Sequence, residues 1–120
     1  MSVGLTICAI SDGDAYCWRN NASGQVGNGS TGSVDVPTRV AGLSDVTAVS
    51  TSHTTSCAIA GGSAYCWGNN REGQIGDGTT LDRLTPTRVL GLDSPTSIST
   101  SLYSTCAVAG SGGAATSLAW

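Results

Sequence analysis

The chain repeats itself every 49 residues, and no other feature limits its possible folds as strongly. Cys8, Cys57 and Cys106 stand 49 residues apart, and the pairs Tyr16/Tyr65, Trp18/Trp67 and Pro37/Pro86 keep the same offset. Aligned without gaps, residues 8–56 and 57–105 are identical at 25 of 49 positions, which marks duplication. A period of this length belongs to arrays in which each unit buries its faces against its neighbours. At 120 residues the chain contains about two and a half copies.

Residues 46–95 are the clearest copy. Segments 46–51 and 54–59 read as short strands, Gly61-Gly62 as the tight turn of a hairpin, and 64–68 as a third strand. A Gly-rich stretch over 69–80 then interrupts regular structure, and 86–90, opened by Pro86, reads as an edge-like fourth strand. Four short strands per repeat with no helical periodicity describe a propeller blade. The expected class is therefore all-β, built from blades of four antiparallel strands.

On this reading residues 1–45 are a partial first blade holding strands two to four, and 46–95 are a complete second blade. Residues 96–110 start a third blade with strands over 96–101 and 103–108, and the Gly/Ala/Ser/Thr-rich stretch 111–120 is a frayed tail. Bare sheet edges invite pairing. The incomplete ring is thus expected to close by oligomerisation, the last strand of one chain completing the first blade of the next and the segment after about Ser101 being surplus. Three chains would give six blades and four would give eight. The competing account is a fragment of a seven-bladed parent.

The hairpin turns set the cysteine register. Counting outward from Asp12-Gly13 places Cys8 opposite Cys17, and the same count from Gly61-Gly62 places Cys57 opposite Cys66. Both fall at non-hydrogen-bonded positions, where Cα atoms approach to about 4.5 Å, near the short end of disulfide geometry. Two cross-strand disulfides are allowed, and the alternative is two pairs of buried thiols acting as small hydrophobes. Cys106 falls opposite Ala115 and is left odd.

The strings Cys57-Ala58-Ile59, Tyr65-Cys66-Trp67-Gly68-Asn69, Gly73-Gln74-Ile75-Gly76-Asp77-Gly78 and Pro86-Thr87 resemble the repeat of the regulator of chromosome condensation family. The first copy carries the same pattern as Tyr16-Cys17-Trp18-Arg19-Asn20 and Gly24-Gln25-Val26-Gly27-Asn28-Gly29, and the resemblance covers residues 5–110. It implies a β-propeller, commonly of seven blades. Trp18, Trp67, Gly73, Gln74, Gly76 and Gly78 carry its structural motif. The cysteine-bearing form is similar to bacterial members, many of them exported or surface proteins. Two departures stand out: Arg19 replaces a glycine, with distortion of the first blade's turn expected, and Trp120 falls four residues beyond the third tryptophan position.

The function classes narrow by composition. A net charge of −3 with five basic residues argues against a nucleic-acid surface. There is no run of about 18 apolar residues, and the first ten residues lack signal-peptide character and already lie inside a repeat. Gly27, Gly29 and Gly32 spell G-x-G-x-x-G, but the second copy has Leu81 in place of the third glycine and no strand–helix context surrounds the motif. His53, the one histidine, would have to serve any His-dependent triad or zinc site, and no partner for it is visible. No enzyme, cofactor or metal site is expected. Asn21-Ala22-Ser23 and Asn28-Gly29-Ser30 fit the glycosylation sequon.

Aromatic residues at fixed repeat positions read as packing between blades, whereas residues that differ between copies are better binding candidates. Arg71, Glu72, Asp82 and Arg83 replace Ala22, Ser23, Ser33 and Val34 in loops. The expected function is a non-enzymatic propeller that binds another protein through these loops. The alternatives are a carbohydrate-binding propeller, for which Trp67 with Asn69 and Asp77 is the nearest candidate site, and an enzyme-inhibiting propeller of the kind the resemblance includes.

Overall fold

A computed structural model describes residues 6–52, 54–89, 95–100, 105–109 and 116–119. Ten strands run in the order β1 (Thr6–Ser11), β2 (Asp14–Arg19), β3 (Val34–Arg39), β4 (Val46–Thr51), β5 (Thr55–Ala60), β6 (Ser63–Gly68), β7 (Arg83–Arg88), β8 (Pro95–Thr100), β9 (Thr105–Ala109) and β10 (Thr116–Ala119). They form three antiparallel sheets in the orders β1-β2-β3, β4-β5-β6-β7 and β8-β9-β10, and the described residues contain no helix.

Local chemistry explains the hairpins. Asp12 and Gly13 have φ of 51° and 77°, and Gly61 and Gly62 have 54° and 81°, the double left-handed turn whose twist matches that of paired strands. The register follows: Cys8 faces Cys17 and Cys57 faces Cys66. Both pairs are disulfide-bonded, with Cα separations of 4.1 and 4.0 Å.

Several boundaries differ from the sequence reading. The fourth strand of the complete blade starts at Arg83, before Pro86, and lies on the sheet edge where proline's missing N–H leaves no gap. Leu90, Ser101, Tyr103 and His53 lie outside the described residues. The largest correction concerns the end of the chain. Thr116–Ala119 is a strand paired to β9, not part of a frayed tail, so the third sheet has three strands and Thr105–Ala109 and Thr116–Ala119 both belong to it. Cys106 pairs with Ala119 instead of Ala115. Thr116 pairs with Ala109, and Trp120 overshoots the period by four residues in sequence.

Arg19 behaves differently from expectation as well. A bulge follows Cys17 in β2 and Cys66 in β6, and the residue after each tryptophan takes positive φ: 83° at Arg19 and 105° at Gly68. The first blade keeps its register, and Arg19 carries a conformation that costs a side-chain-bearing residue about 1–2 kcal/mol. At Gly68 a Cβ would lie 2.5 Å from the Thr54 carbonyl oxygen, so glycine is required there for space as well.

With no phenylalanine in the chain, the core is thin and made of small residues. Strand alternation sends Ala58, Ala60 and Trp67 to one face of the second sheet and Cys57, Ala64 and Cys66 to the other. The first face packs on Ala15, Cys17, Val26, Val40 and Leu43 of the first blade. The second packs with Ile75 and Val89 against Ile98 of β8. Each disulfide therefore faces the following sheet, and Trp67 faces the preceding one.

Candidate functional site

The candidate loops join the third and fourth strands of each blade, over residues 20–33 and 69–82. Each is organised by a fully buried asparagine that the sequence reading passed over. Asn21 donates from Nδ2 to the carbonyls of Ser30 (3.0 Å) and Gly32 (2.9 Å), and its Oδ1 accepts from Val26 N (2.8 Å). Asn70 donates from Nδ2 to the carbonyls of Thr79 and Leu81 (both 3.0 Å), and its Oδ1 accepts from Ile75 N (2.9 Å). Gln25 Oε1 and Gln74 Oε1 accept from Ser23 N (2.7 Å) and Glu72 N (2.8 Å). A buried amide with all its partners supplied holds a loop in one conformation. The identical Asn20-Asn21 and Asn69-Asn70 pairs were the available signal.

The same loops latch neighbouring sheets together. The Gln25 carbonyl accepts from Trp67 Nε1 (2.7 Å) and Ser56 Oγ (2.8 Å), and the Gln74 carbonyl accepts from Thr105 Oγ1 (2.7 Å). Gly27 makes the first latch possible, since a Cβ there would lie 2.6 Å from Trp67 Nε1. The three glycines of the G-x-G-x-x-G string thus belong to a loop that leads into a strand, β3.

The two loops diverge at their far ends. In the second, Asp77 Oδ1 accepts from Thr79 Oγ1 (2.7 Å), Thr79 N (3.0 Å) and Asn70 Nδ2 (3.2 Å), while Oδ2 accepts from Arg83 Nε (2.7 Å). The Asp77 side chain is only 5% exposed. Burial opposes its ionisation, but the hydrogen bonds from Thr79, Arg83 and Asn70 outweigh that and lower its pKa from 3.8 to about 2. In the first loop Asn28 and Val34 occupy the positions of Asp77 and Arg83, so this charged network is absent there.

The four loop residues singled out in the sequence separate into two kinds. Arg83 is held by Asp77, and Asp82 Oδ1 accepts from Asn70 N (3.0 Å), so both serve the loop itself. Arg71 and Glu72 are exposed. The same loop presents Leu81, 62% exposed, with its carbonyl tied to Asn70 and its N–H donated to Thr79 Oγ1 (3.4 Å). The substitution of Leu81 for Gly32 between copies was the sequence signal for it.

Other candidates do not form a site. Trp67 is fully buried and hydrogen-bonded, so it offers no stacking platform beside Asn69 and Asp77 for a sugar ring. Asn21 of the first sequon is buried with its amide engaged, while Asn28 of the second lies at the surface. Among the described residues no group of three or more His, Cys, Asp or Glu could hold a metal ion. None of them forms a helix long and apolar enough to cross a membrane.

A comparison with curated protein sequences finds no match. Among solved structures, human WBSCR16 matches with a TM-score of 0.83 and 22% identity, over 96% of this chain and 30% of that one. Prp20p from Saccharomyces cerevisiae, studied for its binding to Gsp1p and histones, matches with a TM-score of 0.78 and 20% identity, over 98% of this chain and 32% of that one. Yeast RCC1 (Prp20) in the structure with Kap60 matches with a TM-score of 0.74 and 20% identity, over 98% and 31%. The chain spans about a third of the length of these structures. The family model for the regulator of chromosome condensation (RCC1) repeat matches residues 12–59 and 61–108, and together with the latched glycine loops this makes the chain a member of the RCC1 repeat family.

Proposed function

We propose that this chain is a non-enzymatic propeller segment that binds another protein through its blade loops, with the 69–82 loop as the docking element. The observation that carries the reading is Leu81: a large apolar side chain, 62% exposed, on a loop that Asn70, Asp77 and Arg83 hold in place. An apolar anchor on a pre-ordered loop loses little entropy on binding and suits an apolar pocket in a partner, with Arg71 and Glu72 at its polar rim. Prp20p, which shares the fold, binds other proteins, and that lends support to this class of function.

The test is affinity capture compared across variants. Leu81→Asp and Arg71→Glu should lose a protein that the parent chain retains, while Val36→Asp, at a site 65% exposed on β3, should keep it. Equal capture by all of them would refute loop docking.

Ring completion by further copies of the chain, three or four in all, belongs to the same proposal. Ile7 and Trp18, counterparts of Ser56 and Trp67, stand 38% exposed and half-buried on the outer face of the first sheet. Light scattering decides it: a mass of one chain removes the ring and leaves loop docking to be judged by capture.

A further inference from the structure

Asn28 is followed by Gly29. An asparagine side chain is attacked most readily by the next backbone nitrogen when that residue is glycine, which has no Cβ to crowd the approach. Gly29 is exposed and Asn28 half-buried, so water can reach the pair. The space around Gly29 is open, since an added Cβ would meet only Thr85 Cγ2, at 3.8 Å.

One hydrogen bond occupies the attacking nitrogen, and two more fix the orientation of the side chain it would attack. Gly29 N donates to the Leu84 carbonyl in β7 of the neighbouring sheet (3.0 Å). Asn28 Oδ1 accepts from Ser30 N (3.1 Å) and Ser30 Oγ (2.9 Å). The first bond exists only while the first and second blades are in contact.

We propose that Asn28 is a deamidation site gated by the contact between the first two blades. When Leu84 releases Gly29 N–H, hydroxide removes the proton and the nitrogen forms a bond to Asn28 Cγ. The Cγ–Nδ2 bond breaks, the amide nitrogen leaves as ammonia after taking a proton from water, and a five-membered succinimide remains. Water then opens the ring at either carbonyl. Opening at Cγ leaves aspartate at position 28, and opening at the backbone carbonyl leaves isoaspartate, with the chain routed through Cγ. The net change is asparagine plus water to a carboxyl-bearing residue plus ammonia.

The product does not restore the second blade's arrangement. Asp77 holds the equivalent position there with Arg83 on its carboxylate, whereas the first blade has Val34 where that arginine would stand. The new charge has no such cation, and the isoaspartate form lengthens the backbone at the bond to Leu84. Deamidation is thus an irreversible loosening of the contact that restrains it.

The experiment incubates the full chain beside a synthetic peptide covering residues 24–34 in mildly alkaline buffer and measures Asn28 by peptide mapping. The folded chain should react more slowly by roughly tenfold or more, the ratio set by an opening equilibrium of one part in ten. Its rate should rise toward that of the peptide at urea concentrations below global unfolding. Equal rates for chain and peptide, or a folded rate that changes only at global unfolding, would overturn the gate. Asn28→Asp should lower the unfolding midpoint, and adding Val34→Arg should recover it. An unchanged midpoint for Asn28→Asp would remove the loosening step.

Discussion

The first and second blades carry the same aromatic pair in the same register, yet the two tryptophans live in different surroundings. Trp67 is fully buried, its indole N–H taken by the Gln25 carbonyl of the preceding blade. Trp18, across from Ile7 as Trp67 is from Ser56, is half-buried. A propeller residue therefore derives its contribution from the neighbouring blade more than from its own strand, as expected of a quasi-one-dimensional array.

The comparison is broken most directly at the tryptophans. Trp67→Ala should cost about 3–5 kcal/mol, combining a large buried cavity with an orphaned latch, whereas Trp18→Ala should cost about 1–2 kcal/mol. Urea denaturation of both variants reads the difference, and equal losses would mean that the two faces are equally covered.

The next effect lies at the residue after each tryptophan. Gly68→Ala should destabilise by about 2–3 kcal/mol, because strain at positive φ adds to a clash with the Thr54 carbonyl. The opposite change in the first blade, Arg19→Gly, comes last in size and should stabilise by at most about 1 kcal/mol by releasing the same strain.

Between these lies the acid dependence of the second loop. The Asp77 pKa is lowered in the folded state, from 3.8 to about 2. Its contribution is therefore fully present above about pH 4 and is lost as pH falls through about 2. About 1–2 kcal/mol should disappear over that window, and Asp77→Asn should flatten it, as should any measurement that isolates the first loop, where Asn28 does not titrate. A wild-type acid profile unchanged by Asp77→Asn would show that the network adds no stability.

Thiol titration sharpens the remaining likeness between the blades. With five cysteines in the chain and four in two cross-strand disulfides, denaturing, non-reducing conditions should expose one thiol.

Particular residues show what sequence reasoning reaches. The turns at Asp12-Gly13 and Gly61-Gly62 determine the cysteine partners by counting, because a two-residue hairpin leaves no freedom of register. The roles of the loop charges were less legible. Arg71, Glu72 and Asp82 are exposed and Arg83 is half-buried, while Asp82 and Arg83, chosen on the same ground as the other two, also bond to Asn70 and Asp77 within the loop. Charges that bond within a loop and charges that do not look alike in one dimension, because the difference lies in which distant groups the loop brings within reach. Leu81 was missed because apolar residues in loops usually signal packing.

By itself the sequence determined the repeat length, the antiparallel hairpins and which cysteines face each other, all consequences of local spacing and turn chemistry, and its repeat motifs carried the resemblance to a propeller family. Tertiary structure decided which of Trp18 and Trp67 is buried, that Arg19 takes a glycine's conformation without breaking register, and that β10 joins the third sheet. Those outcomes depend on what packs against each strand, and packing is a property of neighbours in space that a repeat in sequence cannot specify.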